Sequence, residues 1–500
     1  MSFASTTLSK SLQPFLSQQK DTPFTPVTIS DTSSPQEVSK EPSFHKTIEL
    51  DHGVRCALQE LNMSLIQQAI ENVPYAQLLL SFFTLSEPET IEKLEALPLE
   101  LLKILLTPQE SQQKPVLDIF ELSALQGHFS LLRFLFNKGR EIGIKPAEDG
   151  SGWSIAHFAA LHPQGRDALK TIPELQSQEH IANRLGATPQ DFLFWLSKPD
   201  PVSLKLFGPQ YPTLTPDEFY TYTDSHYWNR PRFKPATLLY FAFTSPDYPK
   251  TVPYLSHLLG PKVDSYIQTL RDQPCKLFIK KMQGPQIPEP LKGQWECLAS
   301  QDIAPGEIVA LYTGDVLIDL WDPINHKHTK TVALADNLFI DGAAGGGSLA
   351  EMINHGFPNC AFFPHQYRGF PLMAVVALEH LKEGDRLFLT YGKSYFDKIG
   401  IEYQNLNQNG IDAFLAETQE LQLTFLHLSD NGKDLYYCEN GALRRKRFET
   451  LAPESVAIQA WAGCIRVDYL ANFHHHEMAN RIEKLKYPWL KRDFFSKTFQ

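Results

Sequence analysis

The chain reads as a multidomain α+β protein, with an all-α N-terminal half, a β-rich segment from Cys275 and a C-terminal helical region. Three observations predict this order. Between residue 46 and about residue 110, apolar residues recur at i, i+3, i+4 and i+7, the stripe of an amphipathic helix. From Cys275 the pattern changes to short apolar or alternating runs of about four to eight residues broken by Gly, Pro and Asp, as strands require. Beyond 396, helical spacing returns in "IDAFLAETQELQLTFLHL" and "SVAIQAWAGCIRVDYLANFHHHEMANRIEKL".

Composition bounds the function. Five hundred residues, 42% of them hydrophobic, suffice for about three or four domains. A formal charge of -11 argues against a general nucleic-acid binder and suits a basic protein or peptide partner. Cys56, Cys275, Cys297, Cys360, Cys438 and Cys464 are scattered without a C-x-x-C pair, so no disulfide framework or zinc cluster is written here. No run reaches the roughly 18 apolar residues of a spanning helix, and the first twenty residues lack the apolar core of a signal peptide. A soluble, intracellular chain without membrane contact or metal is expected.

The elements follow in order. Residues 1–45, rich in Ser, Thr, Pro and Gln, predict a disordered tail. Residues 46–112 predict a helical region. In 113–210 a weak repeat is visible: "DIFELSALQGHFSLLRFLFNKGREIG", "DGSGWSIAHFAALHPQGRDALKTIPEL" and "NRLGATPQDFLFWL". Aligning Glu121, His157 and Asp191 gives offsets of 36 and 34 residues. The unit resembles an ankyrin repeat, whose period is about 33 residues. That resemblance implies a protein partner, while an irregular helical bundle with similar loops is the alternative. Residues 211–274 are a Pro- and Tyr-rich linker in which "YLSHLLGPKVDSYIQTLRD" predicts a helix.

Within 275–396 lie "CKLFIKKM", "WECLAS", "GEIVALYTGDVLI", "TVALA", "LFIDG", "PLMAVVALEHL" and "DRLFLTY", each a candidate strand. The order "APGEIVALYTGDVL", "FIDG", "INHGFPNC", "EGDRLFLTYG" resembles the SET domain of protein lysine methyltransferases. The resemblance implies a pseudoknot in which the C-terminal strand threads a loop shaped by Pro358 and Asn359. It also implies an S-adenosylmethionine site built with Asn354 and His355, and a catalytic tyrosine at Tyr391. Lysine must lose a proton before methyl transfer, and its ordinary pKa near 10.4 makes the neutral amine scarce at neutral pH. An aromatic channel would lower that pKa by desolvation.

Tyr312, Phe362 and Tyr395 are the candidate channel residues, each with core packing as its alternative. Phenylalanine at 362, where some relatives carry tyrosine, leaves room for more than one methyl group; Leu389 stands at another position where relatives place this switch. The family's Gly-x-Gly entry to the cofactor site is replaced by Gln294-Trp295-Glu296. Trp295 and Glu296 are therefore cofactor-side candidates, with Phe396 as a lid that packs in place of the zinc module many relatives carry. The glycine run 342–348 has no Gly-Lys-Ser/Thr and is read as a loop adjustment rather than a phosphate loop.

In 397–500, "LRRKR" (443–447) is read as a solvated helix end, with a nuclear localisation signal or a docking patch as alternatives. His474, His475, His476 and Glu477 read as a surface cluster, since consecutive helical positions face different ways. Repeats joined to this domain behind a Ser/Thr-rich tail resemble effectors that intracellular bacteria inject into host cells. That resemblance implies secretion into a host, a nuclear destination, and histone lysine methylation on chromatin. The rival reading is a non-catalytic scaffold with a degenerate domain.

Overall fold

Helix starts with one shared chemistry organise the N-terminal half. The computed structural model describes residues 85–107, 117–144, 152–198, 228–243, 253–269, 276–318, 331–342, 348–399, 407–417, 426–439 and 442–473, apart from positions 98, 286, 288 and 336. The expected tail at 1–45, about half of the linker and the His474–Glu477 cluster lie outside these residues. The helices before the β-rich segment are α1 (Glu87–Glu95), α2 (Leu99–Leu106), α3 (Ile119–Gln126), α4 (Phe129–Ile142), α5 (Ile155–Leu161), α6 (Gly165–Thr171), α7 (Pro173–Gln176), α8 (Pro189–Leu196), α9 (Pro235–Phe243) and α10 (Pro253–Thr269). Glu121, His157 and Asp191, the positions aligned by sequence, all occupy the third residue of a helix, in α3, α5 and α8.

Each of the three reaches back to its N-cap backbone N–H: Glu121 to Asp118 at 2.9 Å, His157 to Ser154 at 3.0 Å, Asp191 to Thr188 at 2.8 Å. A capping box satisfies two otherwise orphaned donors, which explains the recurrence. His157 is fully buried, and its Nε2–H donates to the Ala187 carbonyl at 3.0 Å. Burial pushes its pKa down to about 4, against the two backbone hydrogen bonds, so the ring is neutral.

The β-rich segment forms small sheets. β1 (Leu277–Lys281) pairs antiparallel with β2 (Trp295–Ala299). β3 (Ile308–Tyr312), β9 (Phe370–Ala377) and β8 (Cys360–Tyr367) form a three-stranded sheet in that order, and β9 is buried along its whole length. β4 (Asp315–Ile318), β6 (Leu338–Asp341) and β5 (Thr331–Ala335) form another. The run "GEIVALYTGDVLI" makes two strands because Gly314, at φ 151°, turns the chain where a Cβ would sit 2.1 Å from the Asp341 carbonyl oxygen. Strand β8 escaped the sequence reading, since Pro364, His365 and Gln366 interrupt its apolar run.

The β8–β9 hairpin fastens this segment to the helices. Tyr367 pairs with Phe370 across Arg368 and Gly369, which have φ of 47° and 78° as a two-residue turn with two positive φ values requires. The Phe370 ring lies 5.2 Å from Phe192, 5.6 Å from Phe233 and 5.2 Å from Phe241. Arg230 and Arg368 each stand 4.3 Å from the ring of Phe194.

The C-terminal region departs from the all-helical expectation. α11 (Lys393–Ile399), α12 (Gln408–Glu417) and α13 (Glu454–Phe473) are helices, but β11 (His427–Leu428), β12 (Asp434–Glu439) and β13 (Ala442–Arg447) form a sheet. "LRRKR" therefore lies in a strand, not at a helix end. Its Arg445 and Arg447 face Asp434 at 2.9 and 3.4 Å. The physical reason is alternation: Leu435 and Tyr437 point into the core, and Asn440-Gly441 separates two strand-length runs, a hairpin pattern. No helix among the described residues is long and apolar enough to cross a membrane.

Candidate active site

The site is built where two distant segments meet. After the 3-10 turn Leu349–Met352, Asn354-His355 forms the short strand β7, and Phe388-Leu389 (β10) runs parallel to it. Phe388 stands opposite Asn354 and Leu389 opposite His355. Two-residue pairings are weak alone, and Asn359 reinforces this one. Its Nδ2 donates to the Arg386 carbonyl and its Oδ1 accepts from the Phe388 N–H, both at 2.7 Å. Gly356 belongs here for a steric reason: a Cβ would lie 2.6 Å from the Phe388 ring.

The pairing delivers Tyr391. Its backbone N–H donates to His355 Nδ1 at 2.9 Å, and its hydroxyl donates to the Ile353 carbonyl at 2.5 Å. Burial, then Tyr395, then Glu351 and Cys297 raise its pKa, so the hydroxyl stays a neutral phenol. A neutral phenol can orient a partner by hydrogen bonding but does not act as a phenolate base.

The other sequence candidates gather around this centre. Tyr395 lies 5.1 Å from the Tyr391 ring, edge to face, and Tyr312 lies 5.7 Å from Phe362. Tyr312 is buried, and its pKa is raised by burial first and by Glu351 next. The His355 ring packs against Phe396 at 4.7 Å, and against Tyr469 at 5.4 Å and Phe473 at 4.8 Å on α13. Sequence reasoning did not find Tyr469 and Phe473, which are ordinary aromatics of a helical stripe. α13 is held further by Arg466, whose Nε donates to the Pro358 carbonyl at 3.2 Å and whose guanidinium pairs with Glu379.

Beside β7 opens a small depression lined by Met282, Glu296, Cys297, Asn354, Arg386, Leu387 and Phe388. Asn354 Nδ2 donates to the Trp295 carbonyl at 2.9 Å, tying β7 to β2. Glu296, 3% exposed, faces Arg386 Nε at 2.7 Å and Lys280 Nζ at 3.7 Å. Burial raises its pKa, and the two cations oppose that rise. Asn354 and Glu296 thus line the depression, while Trp295, His355 and Phe396 do not. Arg386 sits in "DRLFLTYG", but nothing in its spacing marks it as the partner of Glu296. Among the described residues, no group of His, Cys, Asp and Glu is placed to hold a metal.

This arrangement coincides with a known family. Residues 294–392 match the family model of the SET domain, a stretch that runs from β2 to Gly392 and contains every site candidate except Tyr395 and Phe396. SET domains are usually those of protein lysine methyltransferases. No curated protein matches the chain.

Proposed function

We propose that the chain is a protein-lysine N-methyltransferase that uses S-adenosylmethionine. The observation that carries this reading is the parallel pairing of Asn354-His355 with Phe388-Leu389, clamped by Asn359, after which the Tyr391 N–H bonds His355. Such a pairing of distant segments supports the pseudoknot. S-adenosylmethionine supplies a methyl group on a positively charged sulfur. The residues present suit it: Arg386 and Glu296 offer a cation and a carboxylate to a zwitterionic amino-acid end, and Met282, Leu387 and Phe388 offer an apolar wall. Glu296, in place of a glycine, is thus a charged partner rather than an obstruction.

Asn354 lines the cofactor side and is fixed there by the Trp295 carbonyl, and Phe396 packs on the His355 ring. Tyr391 orients the substrate amine through its hydroxyl once that group leaves the Ile353 carbonyl. Tyr312, Phe362 and Tyr395 exclude water from the amine and favour its neutral form. Three helix starts capped alike support ankyrin-like repeats that bind a protein partner. The acidic balance supports a basic substrate such as a histone tail, and the bacterial-effector role and nuclear destination rest on the resemblance of the domain order. The non-catalytic scaffold is favoured by one observation, the Glu296–Arg386 pair already closed across the depression.

Calorimetric titration with S-adenosylmethionine, beside an Asn354→Ala control, decides between them. Saturable binding lost in the variant, followed by radiolabelled methyl on mixed histones, is expected. A folded protein that binds no cofactor would establish the scaffold. Tyr391→Phe is expected to keep cofactor binding and lower turnover by orders of magnitude; near-normal turnover would place the catalytic group elsewhere.

A further inference from the structure

The match to the SET family ends at Gly392, yet a residue of α13 far beyond it grips the loop on which the site depends. Arg466 is 5% exposed, and its guanidinium forks. Nε donates to the Pro358 carbonyl at 3.2 Å, while Nη2 pairs with the Glu379 carboxylate. The two acceptors belong to different segments: Pro358 to the loop between β7 and β8, Glu379 to the residues that follow β9. Those segments are tied to each other, since the Leu378 N–H donates to the Asn359 carbonyl at 2.9 Å. The loop is thus held from two directions. The Asn359 side chain bonds the β10 segment, and α13 bonds the Pro358 carbonyl.

Helix spacing connects that grip to the tyrosine. Arg466, Tyr469 and Phe473 stand at i, i+3 and i+7 of α13 and so share one face. Tyr469 packs on Phe357 at 5.7 Å and on His355 at 5.4 Å, and Phe473 packs on His355 at 4.8 Å. Arg466 itself stands 5.5 Å from the Phe357 ring. The His355 Nδ1 in turn accepts the Tyr391 N–H. Where α13 sits along the loop therefore sets the His355 ring, and that ring holds the backbone from which Tyr391 projects. Aromatic packing has little directionality along a helix, whereas a planar guanidinium that bonds two acceptors fixes one register.

We propose that Arg466 is a positioning residue for methyl transfer: its bond to the Pro358 carbonyl fixes α13 on the loop and thereby fixes Tyr391 through His355. This rests on the methyltransferase reading. The ion pair with Glu379 is secondary, because that carboxylate is 36% exposed and solvent screens it. The functional unit accordingly runs from β2 to α13, past the residues that match the family.

Two substitutions in the full chain separate the carbonyl bond from the ion pair. Glu379→Gln removes the pair and leaves Nε on Pro358. Arg466→Lys keeps a cation for Glu379 but offers a single ammonium, which cannot span both acceptors. In Arg466→Lys kcat is expected to fall about 10- to 100-fold, the effect of a reacting group displaced by about 1 Å, with little change in KM for S-adenosylmethionine or peptide. Glu379→Gln should keep kcat within about threefold. Amide exchange needs neither cofactor nor turnover. Over residues 386–391 it should accelerate in Arg466→Lys and not in Glu379→Gln, while β9 keeps its wild-type protection in both.

Wild-type kcat and exchange in Arg466→Lys would overturn the inference, and so would equal losses in the two variants, which would assign the effect to the ion pair. Faster exchange in β9 to the same extent as in 386–391 would reduce Arg466 to a stabiliser of the whole domain, and the inference would fall alone. If the wild type binds S-adenosylmethionine but transfers no methyl group, or binds none, the methyltransferase reading falls, and the exchange comparison still shows whether Arg466 holds the Tyr391 segment. Should Arg466→Lys fail to fold, Glu379→Gln decides: loss of turnover or of protection at 386–391 with the Pro358 bond intact overturns the inference.

Discussion

Removing the Asn359 side chain tests the joint on which the site depends. In Asn359→Ala two hydrogen bonds of 2.7 Å disappear, leaving the Arg386 carbonyl and the Phe388 N–H without that partner. Asn359 and Phe388 are each 6% exposed, so water compensates poorly. At about 1–3 kcal/mol for each buried group left unsatisfied, the local cost is about 2–6 kcal/mol. Global unfolding is an ambiguous readout for a multidomain chain, whereas amide exchange over residues 386–391 reports local opening. Since about 1.4 kcal/mol is a factor of ten, exchange there should accelerate by about 30-fold or more. Asn359→Asp is the control: its carboxylate can still accept from Phe388 but turns a second acceptor toward the Arg386 carbonyl, so protection should fall as well. Acceleration below tenfold in both variants would refute the clamp and return the pairing to the β7 and β10 backbones alone.

Other perturbations probe other joints. Phe370→Ala empties the nest formed by Phe192, Phe233 and Phe241 and should cost about 3–5 kcal/mol. Scanning calorimetry should then separate the helical half from the SET domain, and one unchanged transition would show that the hairpin is not the fastening. Phe362→Tyr should bias products toward fewer methyl groups; an unchanged mass-spectrometric ratio would remove Phe362 from the channel. Acid should destabilise the fold through His157 and His427, whose folded pKa values are pushed down by burial to about 4. Lowered histidine values mean that the unfolded chain binds protons first, so stability is complete above about pH 6.5 and is lost as pH falls toward 4. The loss at pH 5 is about 2 kcal/mol per histidine. Burial moves Asp468 the other way, up to about 6, so falling pH returns about 1 kcal/mol through that group. Denaturant midpoints at pH 7 and pH 5 should therefore show a net loss. No loss, or no flattening in His157→Gln, would contradict the burial argument.

The outcome differs by residue for physical reasons. Asn354, His355, Asn359 and Tyr391 were legible because turn-forming and reactive residue types crowd into short motifs, a density that neither core packing nor a plain turn requires. The equivalence of Glu121, His157 and Asp191 was legible because a capping box is a local device, complete within four residues. Strand β8 was not, since its pairing with the fully buried β9 overrides the polar residues inside it. The sheet at 427–447 stays hidden in the sequence because the charge of its basic run masks the alternation beneath it.

By itself the sequence carried the residues of the SET motif and the equivalence of three helix starts, which are set by neighbours within a few positions. Only the tertiary structure decided that Glu296 faces Arg386 across the depression, that Tyr469 and Phe473 close on His355, and that Glu351 and Tyr312 crowd the position a Cβ on Gly342 would take. Each of these pairs or groups comes from segments whose separation carries no local pattern. Electrostatics and packing act through space, and the fold alone sets those distances.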